Sequence, residues 1–294
     1  MAGTALRVLG SSHDFFRAAG VRSVRCLSTV HSLRERESIY ECLPFLERDW
    51  EGYCGAEAYR FAQMQAWYHA RISRVKGPVC ELACGYGRLL VELARAGIEV
   101  HGTDVAPSRI QAARQHFDKE GLVNAHFHLC PMPNVPQGVK FGAIILAANA
   151  VGYLADSQRK RELFANIAGA LADNGLLLMD HGRGSAVLRL LRCWPGLRGR
   201  LGKGDRRIRS SLQWSRSHNV IVETFFVREA GAPPRIYQDT FRFDRASVTL
   251  LRLKEAGFEI VETCGSFQGS PLRPWSLMLA VTAQVEKTPR VVVA

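Results

Sequence analysis

Residues 80–105 constrain the fold of this chain more than any other stretch. Cys80-Glu81-Leu82-Ala83 is a short strand-like run containing an acid, and Cys84-Gly85-Tyr86-Gly87-Arg88 is a glycine-bearing turn. A helical stretch follows with Leu89, Leu90, Leu93 and Ala94 on one face, stopped by Gly97. Ile98-Glu99-Val100-His101-Gly102-Thr103-Asp104 then reads as a second strand ending in a carboxylate. Gly85 and Gly87 let the backbone pass close to a ligand and permit positive φ. A carboxylate at the end of the next strand is placed to bind vicinal ribose hydroxyls. The unit therefore predicts a nucleoside pocket at the carboxyl ends of parallel strands. The bland alternative is a strand–turn–helix with incidental glycines, against which stands the coincidence of acid, glycines and second acid.

A dinucleotide fingerprint calls for a third glycine to let helix and strand pack closely, and that position is Leu90. The segment resembles the nucleotide loop of class I S-adenosylmethionine (SAM)-dependent methyltransferases more closely, with its acidic-x-G/A-x-G-x-G pattern. Glu81, Ala83, Gly85 and Gly87 match that pattern, and Asp104 falls at the family's ribose-binding acid. The resemblance implies SAM as cofactor, met by Glu81, Ala83, Gly85, Tyr86, Gly87, Asp104, Val105, Met132, Ala147 and Asn149. It extends from about Tyr53 to Gln284. Ala125–Leu129 reads as a third strand, Phe141–Ala147 as a fourth, and Arg159–Leu171 as a helix with Leu163, Phe164, Ile167 and Leu171 on one face. Asp173-Asn174-Gly175 reads as a turn, and Leu176–Met179 as a fifth strand ending at Asp180-His181. A helix, Ala256-Gly257-Phe258, a strand and a last strand at Trp275–Thr282 resemble the family's ending. The implied fold is α/β: a Rossmann-like, seven-stranded doubly wound sheet with an antiparallel β insertion or lid after the fifth strand.

Two positions depart from the family pattern. Pro131 stands where members often place an Asp for the adenine amino group, which leaves the Met132 backbone, a neighbouring carbonyl or the Asn134 amide to meet adenine. Gly142 opens the fourth strand where an Asp is usual.

The net charge of +12 is unevenly distributed: residues 1–36 carry +4 and residues 183–217 carry +9, which leaves −1 elsewhere. A near-neutral body disfavours a nucleic-acid enzyme, which more often carries a broad basic face. Residues 1–36 read as a flexible or targeting extension. Arg7, Arg17, Arg22 and Arg25 among serines and small apolar residues have the composition of a mitochondrial presequence over Met1–Ser32. A disordered bacterial extension and a start codon assigned too far upstream are the competing readings. The expected location is accordingly the cytoplasm, or the mitochondrial matrix if residues 1–32 are a transit peptide. Residues 37–284 form the expected catalytic domain and 285–294 a tail. No apolar run approaches the roughly 20 residues of a spanning helix, so no membrane is expected. The eight cysteines (Cys26, Cys42, Cys54, Cys80, Cys84, Cys130, Cys193, Cys264) show neither C-x-x-C nor zinc spacing; Cys80 and Cys84, in and just after the first strand, read as buried free thiols, which implies a reducing compartment.

Residues 183–243 form the insertion. Trp194–Arg207, rich in glycine and arginine, is expected to be a mobile loop. Leu212–Arg216, Val220–Arg228 and Arg235–Phe243 alternate as strands of an antiparallel flap. Arg206 and Arg207 are the candidates for clamping a carboxylate or phosphate on the acceptor, with Tyr53 as a further substrate contact; a merely solvated loop is the equal alternative. Catalytic candidates are His181 as base, Asp180 and Tyr153. Trp67 and Tyr68 either close over the cofactor or substrate, or pack a helix. No metal-ligating constellation is evident, and no metal is expected. Asn149-Ala150-Val151-Gly152-Tyr153 resembles small-molecule methyltransferases of the glycine- and natural-product-modifying kind, and no N-P-P-Y-type tetrapeptide is present. The leading expectation is methyl transfer to a small metabolite, anionic acceptors included, by in-line displacement. An RNA or protein methyltransferase docking through residues 183–217, and a non-catalytic SAM-binding protein, are the alternatives. The sequence carries no indication of oligomeric state.

Overall fold

The computed structural model describes residues 56–183, 197–201, 207–215, 220–228, 231, 233 and 235–285. The expected extension 1–36, Tyr53, Trp194, Arg206 and the tail beyond Val285 lie outside them.

Seven strands form one sheet: β1 (Val79–Leu82), β2 (Val100–Asp104), β3 (Ala125–Leu129), β4 (Phe141–Leu146), β5 (Leu171–Gly182), β10 (Phe258–Cys264) and β11 (Met278–Val285). Their order is β10-β11-β5-β4-β1-β2-β3. The pairs β1–β2, β1–β4, β2–β3 and β4–β5 are parallel, and β11 runs antiparallel to both of its neighbours. Every residue of β1, β2 and β4 is buried, as expected of strands covered on both faces.

Helices α1 (Ala56–Ile72), α2 (Arg88–Arg95), α3 (Pro107–Lys119), α4 (Ser157–Ala170) and α5 (Ala246–Glu255) supply the two covering layers. One layer joins Tyr68, Ile72, Leu90 and Phe117 to Ile145 and Leu178. The other joins Leu163, Phe164, Ile167 and Leu253 to Ile144, Leu146 and Val281. Helix α2 buries Leu89, Leu90, Val91, Leu93 and Ala94 and stops where Gly97, at φ +81°, turns the chain so that Ile98 N–H bonds the Leu93 carbonyl at 3.1 Å. Asp156 caps α4, its carboxylate accepting the Arg159 N–H at 2.9 Å, so the helix begins two residues before the expected Arg159.

Three expectations are corrected. The turn at Asp173-Asn174-Gly175 is absorbed into β5: Asn174 takes φ +64°, and the register slips so that Phe141 faces Leu171 while Ala143 faces Leu176. The last strand starts at Met278 rather than Trp275, because Ser276 N–H closes a turn onto the Arg273 carbonyl at 3.0 Å. Within the loop expected over Trp194–Arg207, Leu197–Leu201 is strand β6, paired antiparallel with β7 (Arg207–Ser215). The period-two pattern Leu-Arg-Gly-Arg-Leu carries a strand signal that the glycine content obscures. With β8 (Val220–Arg228) and β9 (Arg235–Phe241), these strands form the four-stranded antiparallel flap. Ile221 and Phe241 pack against Tyr153, and Arg242 N–H bonds the Gly152 carbonyl at 2.9 Å, fastening the flap beside the end of β4.

Gly142 has a packing reason. A Cβ there would lie 2.1 Å from the Lys76 carbonyl oxygen and 2.7 Å from Val75 Cγ1. Backbone cannot yield as a flexible side chain can. Gly142→Ala is expected to lower stability by at least about 2–3 kcal/mol, read from urea unfolding.

A buried ionic cluster joins α4, α5 and the segment after β9. Asp244 accepts from Lys160 Nζ at 2.7 Å and from Arg252, whose guanidinium also donates to Ser157 Oγ at 3.0 Å. Burial alone would raise the Asp244 carboxyl, but Lys160 and Arg252 outweigh it and hold the group below its ordinary value. Burial lowers Lys160, an effect only partly offset by Asp244. A depressed carboxylate stabilises the fold above its unfolded pKa of about 4 and ceases to as acidification protonates it. Asp244→Asn leaves two buried cations facing each other and is expected to cost about 3–5 kcal/mol at neutral pH. The loss should shrink below pH 4 in unfolding titrations.

Candidate active site

The site lies where β1, β2 and β4 end. After Leu82, Ala83 (φ +57°) and Gly85 (φ +56°) both adopt the left-handed conformation, and Cys84 N–H bonds the Thr103 carbonyl at 2.8 Å. The loop is thereby tied to β2 one residue before Asp104. The Asp104 carboxylate is buried and takes the Gly85 N–H on Oδ2 at 2.9 Å and the Ala106 N–H on Oδ1 at 3.0 Å. Each oxygen retains further acceptor capacity.

Asp104 lines a cavity of about 350 Å³, within the range of small-molecule sites. Of the residues expected at the cofactor, Glu81, Ala83, Gly85, Tyr86, Asp104, Val105, Met132 and Ala147 line it. Gly87 and Asn149 do not. Gly87 lies under the loop, where a Cβ would come within 3.0 Å of Phe117 and 3.1 Å of Phe127, so its smallness seats the loop on the core and starts α2. Asn149 adopts φ +65° before the 3₁₀ turn Ala150–Tyr153, and its Oδ1 accepts the Gly182 N–H at 3.4 Å.

Further wall residues lie outside the motif. Phe61 and Met64 come from α1, Arg88 and Arg109 from the first turns of α2 and α3, and Cys130 and Pro131 from the chain after β3. The Arg88 guanidinium sits 4.4 Å over the Phe61 ring, joining α1 to the loop. The signal in the sequence was the helical spacing of Phe61, Met64, Tyr68 and Ile72, whose upper end reaches the cavity. Trp67 and Tyr68 are buried beneath it and do not close over it.

The expected catalytic trio is divided. Tyr153 lines the cavity and meets Phe241 of the flap edge-on, at 6.4 Å between ring centres. Asp180 lies under the cavity floor, its Oδ1 accepting the Tyr68 hydroxyl at 2.7 Å and the N–H of Ala148, itself a wall residue, at 2.9 Å. His181 does not reach the cavity, which corrects its expected place at the mouth. The pleat turns it to the other face, where Nε2 pairs with Thr249 Oγ1 at 2.9 Å and Nδ1 with the Gly182 carbonyl at 2.7 Å. Burial there lowers its pKa. Of the expected substrate contacts, Arg207 opens β7, and Tyr53 and Arg206 lie outside the described residues.

Comparison with known proteins agrees with this geometry. Residues 79–175 match the methyltransferase-domain family. YqeM of Bacillus subtilis, whose name assigns it provisionally as a methyltransferase, is 25% identical over 128 residues, 41% of this chain and 48% of its own length. The chain spans about half the length of the curated relatives it matches. A SAM-dependent methyltransferase from Clostridium acetobutylicum superposes with a TM-score of 0.67 at 14% identity, covering 76% of this chain and 92% of its own. The sugar N-methyltransferase KedS8 from Streptoalloteichus superposes over 97% of this chain and 98% of its own, with a TM-score of 0.56 and 17% identity. The fold is that of the class I SAM-dependent methyltransferases. Among the described residues no helix is long and apolar enough to cross a membrane.

Burial pushes the Asp180 carboxyl up to about 6, against the pull of its bonds from Tyr68 and the Ala148 and Asn149 amides. A raised acid favours the fold while protonated, so the contribution is full below pH 4 and is lost as pH rises through about 6. Asp180→Asn keeps the acceptor oxygen and removes the titration. From pH 4 to pH 8 the stability difference should move by about 2–3 kcal/mol in favour of the variant, measured by urea unfolding at each pH.

Proposed function

We propose that this protein is a SAM-dependent methyltransferase acting on a small polar metabolite. The observation that carries this reading is the Asp104 carboxylate, held by the Gly85 and Ala106 amides at the wall of a cavity of about 350 Å³. The residues present fit the cofactor. Asp104 offers acceptors for two ribose hydroxyls, and Gly85 leaves the loop side open for the methionine moiety. Met132, Pro131 and Leu154 offer apolar surface for the adenine plane. Bound SAM supplies a methyl group on a sulfonium, whose leaving group becomes neutral on departure.

The chain's own contribution is alignment and exclusion of water. Phe61 and Met64 cover the cavity from α1, and Tyr153 closes it on the side of the flap. We assign Tyr153 the hydrogen bond that orients the acceptor. His181, facing the opposite layer, is left out of the chemistry. An anionic acceptor is the finer reading. Its support is the net +9 of residues 183–217 and the opening of β7 at Arg207 beside a flap that meets Tyr153.

Calorimetry with SAM tests the cofactor part. Asp104→Asn is expected to weaken binding by about 1.5–3 kcal/mol, the scale of hydrogen bonds to a charged acceptor. Equal affinity in a folded variant would remove the assignment. Transfer of labelled methyl to a panel of amino sugars, amino acids and phenolic acids tests the acceptor class; label only in RNA or protein would overturn it.

A further inference from the structure

Glu99, His101, His126 and His128 have no part in the cavity. Glu99 immediately precedes β2, His101 lies within it, and His126 and His128 take alternate positions along β3, so that the histidines share one face of the sheet. The parallel register pairs His101 with His126 and Thr103 with His128, so side chains 25 residues apart in sequence become neighbours. Glu99 Oε1 lies 3.0 Å from His101 Nε2 and 3.7 Å from His126 Nε2. One donor atom from each of the three lies within 4.8 Å of the other two.

The four residues are not equivalent. His101 is buried, packed edge-on against Phe141 at 5.2 Å and stacked on His128 at 5.4 Å between ring centres. Its Nδ1 is 3.1 Å from His128 Nε2. Nε2 is therefore held toward Glu99 and His126, whose side chains are about half exposed. This is a pre-oriented imidazole with two accessible donors above it.

We propose that Glu99, His101 and His126 bind a zinc-class divalent cation, with a fourth position left to water. Tetrahedral ligands at about 2.0–2.1 Å from zinc stand about 3.3 Å apart, and the 3.0 and 3.7 Å separations straddle that value. Two imidazole nitrogens with one carboxylate suit zinc and its transition-metal neighbours better than magnesium or calcium, which take oxygen ligands. Ligation through Nε2 requires the His101 proton on Nδ1, where it donates to His128 Nε2. His128 is then the outer partner that orients a metal-bound histidine. No such constellation was expected from the sequence, because linear spacing does not reveal a pairing set by sheet register. The cation joins the amino ends of the two strands whose carboxyl ends lead to Asp104 and Cys130, which makes the site structural.

The test uses the full chain, stripped by chelator and dialysed, and titrated with zinc alone by calorimetry and by NMR of imidazole nitrogens. One equivalent should bind at micromolar or tighter affinity, with the His101 and His126 ring resonances shifting and the thermal transition rising. His126→Ala and Glu99→Gln, both at exposed positions, should each weaken binding by at least about 10-fold while leaving the zinc-free transition in place. His128→Gln should weaken it less. Uptake of equal strength in wild type and both variants would place the zinc on other histidines or on cysteines and overturn the assignment, as would no uptake.

Discussion

The carboxylate of Asp104 organises this site. Its two oxygens accept the Gly85 and Ala106 amides, so a single side chain holds the loop after β1 and the backbone leading into α3. Both strand ends are thereby fixed relative to the cavity floor. Asp104 sits at the end of a strand buried on both faces, and its partners are backbone groups that cannot swing away. Acceptor capacity beyond those two bonds is left for a ligand. The left-handed turns at Ala83 and Gly85 supply the curvature that brings the amide within reach.

The pleat of β5 divides two adjacent ionisable residues between the two faces of the sheet. Asp180 and His181 are adjacent, yet one contacts Tyr68 under the cavity and the other Thr249 of α5 on the opposite face. Alternation of side chains in a strand makes this unavoidable: both residues of such a pair cannot serve one pocket. Burial raises the carboxyl on one face and lowers the imidazole on the other. Both shifts disfavour charge, which is the ordinary consequence of leaving water.

Cohesion of the other layer rests on polar as well as apolar contact. Asp244 bonds Lys160 from α4 and Arg252 from α5, beside the Phe164 and Leu253 packing. Ion pairs taken out of water contribute little net stability when intact but resist the loss of one partner. The chain leading from the flap into α5 is thus registered against α4. Its neighbour Phe241 meets Tyr153 at the cavity wall.

Local patterning already revealed the glycine loop with its two acids, the strand Ala125–Leu129, a fourth strand expected over Phe141–Ala147 and found one residue shorter, and the flap alternation, since each depends only on neighbours in sequence. Eight of the ten expected cofactor residues line the cavity, because a loop joined to a strand end has few ways to present itself. Tertiary structure alone decided what depends on register and face. It turned Gly87 to packing against Phe117 and Phe127 and sent His181 away from the cavity. It buried Asp180 enough to move its carboxyl to about 6, and brought Phe61 and Met64 over the site. It also set Glu99, His101 and His126 side by side. The physical reason is the same in each case: pairing between strands and packing between layers are non-local, and no periodicity within one segment encodes its partner.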